Sequence, residues 1–247
     1  MVKSSVIEKT ANEFRLKWGI GNNSATNLRS LLIKLNVSAY FKPMSGSFSG
    51  MAIKQGLHRF MLVNTSQNLG RQNFTTGHEL YHLFVQENFI AETTYKAGAF
   101  NRFNEDEMKA DLFSSFLLMP KDGILSLIPD DEFTQKGVSI SLDTVVKLEQ
   151  YFQVSRGAML YRLKDLGYID SAKYSEYSIN VIKSARRRGF NDELYTSTQE
   201  TDFISNYGDL ANYLVETSKI SDGDYFSLMM DIDVDILSNN YDNEVEI

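Results

Sequence analysis

Apolar positions recur at helical spacing over residues 8–18 and 24–35, predicting two opening helices, the second with Ser24 as its N-cap. The pattern then shortens. Residues 37–41, 51–54 and 58–63 read as strands, separated by turns rich in Gly and Ser, and they predict a small antiparallel sheet. Helical spacing returns over residues 70–87, with Leu80, Leu83 and Phe84 as its apolar contacts, and again over 105–118, where Met119-Pro120 ends it because proline cannot continue the hydrogen-bond ladder. A short helix over 122–127 stops at Pro129. Helices over 142–152 and 156–166 follow, joined by a tight break at Gln153-Val154-Ser155, and then helices over 172–188, 207–217 and 225–230. The expected fold class is α+β: a sheet and helices first, a mainly helical region after. Soft boundaries near 135 and 190 divide the chain into 1–135, 136–190 and 191–247.

The helix over 70–87 carries the candidate chemistry. In His78-Glu79-Leu80-Tyr81-His82 two imidazoles stand four residues apart with a carboxylate beside the first, the H-E-x-x-H spacing of zinc-dependent hydrolases. Residues i and i+4 share one helical face, so His78 and His82 can hold one metal ion, on the face expected to turn toward the sheet. Glu79 projects beside them as a candidate general base. A catalytic zinc commonly takes three protein ligands. The helix over 105–118 offers Glu105, Asp106, Glu107 and Asp111, and spacing alone does not choose among them, since acids are also frequent at helix starts for dipole reasons. Tyr95, Tyr81 and His58 are candidates to stabilise an oxyanion.

Composition narrows the setting. The 247 residues, 43% of them apolar, suffice for one large or two small domains. There is no cysteine, which excludes disulfides and thiolate metal sites and fits a reducing compartment. The first ten residues lack the apolar core of a signal peptide, and no segment has the length of apolar sequence needed to span a membrane, so a cytoplasmic location is expected. The net charge of −7 is unevenly spread: residues 141–190 hold 9 basic and 5 acidic side chains, and residues 191–247 hold 1 and 14. The acidic end would repel nucleic acid, cover the basic segment or the cleft, or simply aid solubility. Asp231, Asp233 and Asp235 have the spacing of a calcium loop, but Ile236 and Asp242 occupy positions that such a loop gives to Gly and Glu.

The run Arg71-Gln72-Asn73-Phe74-Thr75-Thr76-Gly77-His78-Glu79-Leu80-Tyr81-His82 resembles the R-Q-R-F-T-x-A-H-E-L-G-H element of the ImmA/IrrE metallopeptidases. The later run from Glu107 to Pro120 is similar to that family's E-x-x-A-N/D-x-F-A-x-x-L-L-M-P element. The likeness is strongest over about residues 37–120. It implies a zincin-like domain in which His78, His82 and Glu107 bind Zn²⁺, or Mn²⁺ in its place, while Asp111 orients a ligand histidine. It also implies an endopeptidase that cleaves a partner helix-turn-helix repressor, relieving repression of mobile-element, phage or stress-response genes. Departures are Tyr81 where Gly is frequent, Ser114 where Ala is usual, and the lack of a repressor-like domain ahead of the peptidase. Two alternatives stand beside this reading. A DNA-binding role would use the helix pair over 142–166, with Arg156, Arg162 and Lys164 in its second helix and Arg186, Arg187 and Arg188 nearby. A regulator that binds its repressor without cutting it is the other.

Overall fold

The computed structural model describes residues 3–87, 89, 93–95, 97–98, 104–135 and 137–230. The acid-rich stretch beginning at Asp231 lies outside them. Helix α1 (Ser4–Lys17) buries Ile7, Ala11 and Phe14 along one stripe. Helix α2 (Leu28–Lys34) starts later than expected, because the Asn27 side chain and not Ser24 accepts the hydrogen bond from Ser30 N that caps it. The Ser24 carbonyl is instead taken by Arg15 of α1, whose fully buried guanidinium also serves Gly21 O, Thr26 Oγ1 and Leu117 O.

Strands β1 (Val37–Lys42), β2 (Phe48–Gln55) and β3 (His58–Asn64) form a hairpin and a crossover. β2 and β3 are antiparallel across the turn at Gly56, but β1 runs parallel to β3. The sheet is therefore mixed, contrary to the antiparallel expectation. The loop from Pro43 to Ser47 carries the chain past β3, so β3 lies between its two predecessors. Val37 and Ala39 of β1, Met61 and Val63 of β3 and Ala52 of β2 alternate onto the helix-covered face.

Helix α3 (Leu69–Phe84) follows, capped by Asn68, and crosses that face. Strand β4 (Thr93–Tyr95) extends the sheet beside β2. Helix α4 (Glu105–Leu118) packs along α3. The two approach closely at Gly77, where a Cβ would lie 2.5 Å from Ser114 Oγ. Ser114 also donates to Phe74 O at 2.7 Å. The chain thus combines the smallest residue on α3 with serine on α4, and the Ser114 departure is absorbed by Gly77 opposite it.

Helix α5 (Lys121–Leu127) and the small hairpin β5 (Phe133–Thr134) and β6 (Gly137–Val138) lead into α6 (Leu142–Phe152) and α7 (Arg156–Asp165). Gln153, in the left-handed region at φ 55°, turns the chain between α6 and α7. The single helix expected over 172–188 is two: α8 (Ser171–Tyr177) and α9 (Val181–Arg186), broken where Asn180 takes φ 53°. The reason is tertiary. Arg156 takes the Tyr177 carbonyl, which a continuous helix would use internally. Strand β7 (Asp202–Ile204) then pairs antiparallel with β1, giving the order β4-β2-β3-β1-β7, and α10 (Tyr207–Glu216) and α11 (Asp222–Met230) follow.

Two apolar clusters hold these elements, and α4 belongs to both. Ala110, Leu112, Phe113, Phe116 and Leu117 join α1, α2, the sheet and α3. Leu118 and the following Met119 join α5 to α8. Each fully buried Leu or Phe contributes roughly 1.5–3 kcal/mol, so the site on α3 and α4 rests on a well-buried apolar base. Among the described residues no helix is long and apolar enough to cross a membrane.

Candidate metal centre

The i, i+4 spacing on α3 brings His78 and His82 to the same side, and that side faces α4, not the sheet as the sequence suggested. The sheet side belongs to Glu79. A Cβ at Gly50 of β2 would lie 2.9 Å from Glu79 Oε1 and 2.5 Å from Thr75 Cγ2, so the strand must present glycine for α3 to lie this close.

His78 Nε2 and His82 Nε2 are 3.1 Å apart. Glu107 reaches both, with Oε2 3.3 Å from His78 Nε2 and Oε1 3.4 Å from His82 Nε2. One ligand atom from each of the three lies within 4.8 Å of the others. The other acids on α4 are engaged elsewhere: Glu105 and Asp106 pair with Lys109, and Asp111 sits one turn deeper. Asn104 accepts from the backbone N–H groups of Asp106 and Glu107, which sets the first turn of α4 and turns Glu107 inward.

Each imidazole is held through its other nitrogen. His78 Nδ1 is 2.8 Å from Asp111 Oδ1, which also accepts from Gly98 N at 2.7 Å. His82 Nδ1 is 2.6 Å from Gln86 Oε1, and Gln86 Nε2 donates to Asp106 Oδ2 at 3.2 Å. With Nδ1–H donated to those oxygens, the Nε2 atoms of the two rings point at one another and at the Glu107 carboxylate, where a proton or a cation can sit. Burial alone would lower the His78 pKa, but its hydrogen bonds to Asp111 and Glu107 and the charge of Glu79 raise it to about 10. Burial works on Glu107 in the opposite sense to His78 and His82, whose hydrogen bonds hold its carboxyl well below the usual range. Converging acceptor atoms in an acidic setting call for a cation, and two imidazole nitrogens with one carboxylate suit a divalent transition metal.

Gln86 was missed in the sequence, although its place four residues after His82 was a usable signal. Tyr81 is buried against Phe113, with ring centroids 5.8 Å apart, and stands edge-on to His82. Burial pushes its hydroxyl up to about 12. Its ring supports the His82 imidazole from behind. His58 is exposed at the start of β3, and the Tyr95 side chain lies outside the described residues. The arginines proposed for DNA contact in α7 are buried: Arg156 is paired with Glu149, and Arg162 with Glu8 and Asp165. Arg186 and Arg188 pair with Asp192 and Asp143.

Fold and donor set together define a metallopeptidase: an H-E-x-x-H helix laid against an acidic helix on a small sheet. The sequence matches the family model Peptidase_M78, the IrrE N-terminal-like domain, over residues 34–164, and the chain belongs to that metal-dependent peptidase family. The match ends within α7, so it takes in the sheet strands β1 to β4, both site helices and the α6–α7 pair. No curated protein matches the chain.

Proposed function

We propose that the chain is a zinc-dependent endopeptidase that acts in the cytoplasm on a partner helix-turn-helix repressor, with Mn²⁺ as a possible substitute metal. The observation that carries the hydrolytic part is the convergence of His78 Nε2, His82 Nε2 and the Glu107 carboxylate beside Glu79. His78, His82 and Glu107 would hold the metal, which supplies Lewis-acid polarisation of a peptide carbonyl and makes a water easier to deprotonate. Asp111 and Gln86 keep the two imidazoles in the tautomer that offers Nε2. Glu79, fixed between α3 and Gly50, takes the proton from the attacking water and returns it to the leaving amine as the C–N bond breaks. The choice of a repressor as substrate is supported by the resemblance of residues 71–82 and 107–120 to peptidases of that kind. The cysteine-free composition supports the cytoplasm.

The test is incubation of the purified protein with zinc and the repressor encoded beside its gene. A discrete cut is expected, and Glu79→Gln should slow it about 10²–10⁴-fold while the protein keeps its metal. Full activity in that variant would remove Glu79 from the mechanism. A stable, uncut complex with the native chain would replace the peptidase with a binding regulator.

A further inference from the structure

Arg71 stands apart from the other arginines withdrawn from solvent. Arg15 donates to four acceptors, Arg156 is held by Glu149, Ser184 and Tyr177 O, and Arg162 by Glu8, Asp165 and Met119 O. Arg71 is half-buried, yet among the described residues its guanidinium has one acceptor, the neutral Gln67 Oε1 at 2.9 Å from Nε, and no carboxylate paired with it. Burial draws its pKa below the ordinary arginine value, with the charge of Asp111 pulling the other way. A partly desolvated guanidinium with unused donors is matched by a carboxylate, which it grips through two parallel hydrogen bonds.

The surroundings leave room for one. Arg71 lines a cleft of about 190 Å³ with Phe74, Gly98, Gly157, Tyr161 and Tyr174, and no acidic side chain lines it among the described residues. Lys164 Nζ lies 5.5 Å from the Tyr174 ring centroid, adding positive charge at the margin. Its walls connect to the metal centre, since the N–H of Gly98 donates to the same Asp111 oxygen that holds His78. Along α3, Arg71 precedes His78 by seven residues, two turns on one face, or about 10 Å at the helical rise. An extended peptide covers about 3.3 Å per residue, so a group seated on Arg71 lies about three residues from a bond at the metal.

We infer that this cleft is the specificity subsite of the enzyme: it takes an acidic side chain of the substrate about three residues from the scissile bond, with Arg71 as the residue that positions it. The inference rests on the peptidase reading above. Because the whole chain carries a net charge of −7, a preference for acidic peptides would run against its overall field and must arise locally.

Two measurements test it on the full chain loaded with zinc. In the first, a degenerate peptide library is cleaved and the products sequenced by mass spectrometry. Asp and Glu should be enriched about ten- to hundredfold at one position two to four residues from the cut. That enrichment should vanish in Arg71→Gln and pass to Lys and Arg in Arg71→Glu. In the second, fluorescein-labelled eight-residue peptides with a single Glu, or Gln in its place, are titrated against the Glu79→Gln protein by anisotropy; the Glu peptides should bind tighter, and only while Arg71 is present. Cleavage without an acidic preference overturns the subsite and leaves the peptidase standing. No cleavage, but Arg71-dependent binding of Glu peptides, keeps Arg71 as an acidic-peptide binding site and sinks both the peptidase and the subsite's place relative to a scissile bond. Equal binding of both peptides, or none, without acidic enrichment among products overturns the subsite.

Discussion

Two buried polar clusters, one between α3 and α4 and one among α6 to α9, are built on opposite principles. Around Glu149 every charge meets its complement. Arg156 donates to both carboxylate oxygens at 2.5 and 2.7 Å and to Ser184 Oγ and Tyr177 O, and Tyr195 donates its hydroxyl to Glu149 Oε1. Burial raises the pKa of Glu149 against the downward pull of Arg156 and Tyr195. Around His78 two imidazole nitrogens and a carboxylate converge on one point. The first cluster is complete as it stands and binds α6 to α9 into one unit. The second has the donor set that a cation would complete. Burial of polar groups is common to both, and sign complementarity separates a structural network from a binding site.

That contrast can be broken from either side. The largest stability effect is expected at Glu149→Ala, which strands Arg156 and should cost roughly 3–5 kcal/mol in chemical denaturation. Metal content of the fraction that remains folded should stay at one ion per chain. A loss of metal in step with stability would show that the two clusters are not independent. At the metal centre, Gln86→Leu removes the acceptor for His82 Nδ1 and should weaken metal affinity about 10–100-fold in a competition titration with a chelator. Unchanged affinity would mean that His82 is oriented by packing against Tyr81 and Phe89 instead. A smaller effect is expected between the clusters, where Gly77→Ala forces a methyl to 2.5 Å from Ser114 Oγ. It should cost about 1–3 kcal/mol, and most of this should return in the double variant with Ser114→Ala. Additive losses in the double variant would show that the α3–α4 contact is not the source.

Much of the metal centre was legible because its information is local. Two histidines four apart need only a helix to share a face, and the periodicity of residues 70–87 supplied one. Glu107 was less so: spacing left four acids open, resemblance to a family chose among them, and the docking of α4 on α3 explains the choice by giving Glu105 and Asp106 to Lys109. Gln86 was less legible because the carboxylates of α4 were the evident orienting groups, although an amide oxygen orients an imidazole equally well. In the fold, helices with strong apolar stripes were visible to within a few residues at most ends. β7 was not, since three residues carry no alternation that periodicity can detect. The parallel pairing of β1 with β3 was also hidden, because short loops between consecutive strands suggest a meander and only long-range packing puts β3 in the middle.

The amino-acid sequence alone determined that two imidazoles and a carboxylate share one helix, since 3.6 residues per turn decides that without reference to anything distant. It also determined that α4 would be acidic at its start and apolar beyond. Only the tertiary structure decided where each arginine goes. Arg156 and Arg162, which looked like surface cations beside a tight turn, are interior struts, while Arg71, unremarked within the motif run, lines a cleft beside the metal centre with donors to spare. The physical reason is that a charge acquires its role from its dielectric surroundings and its counter-charge, and these are set by residues far off in the chain, as between Arg162 and Glu8, 154 positions apart.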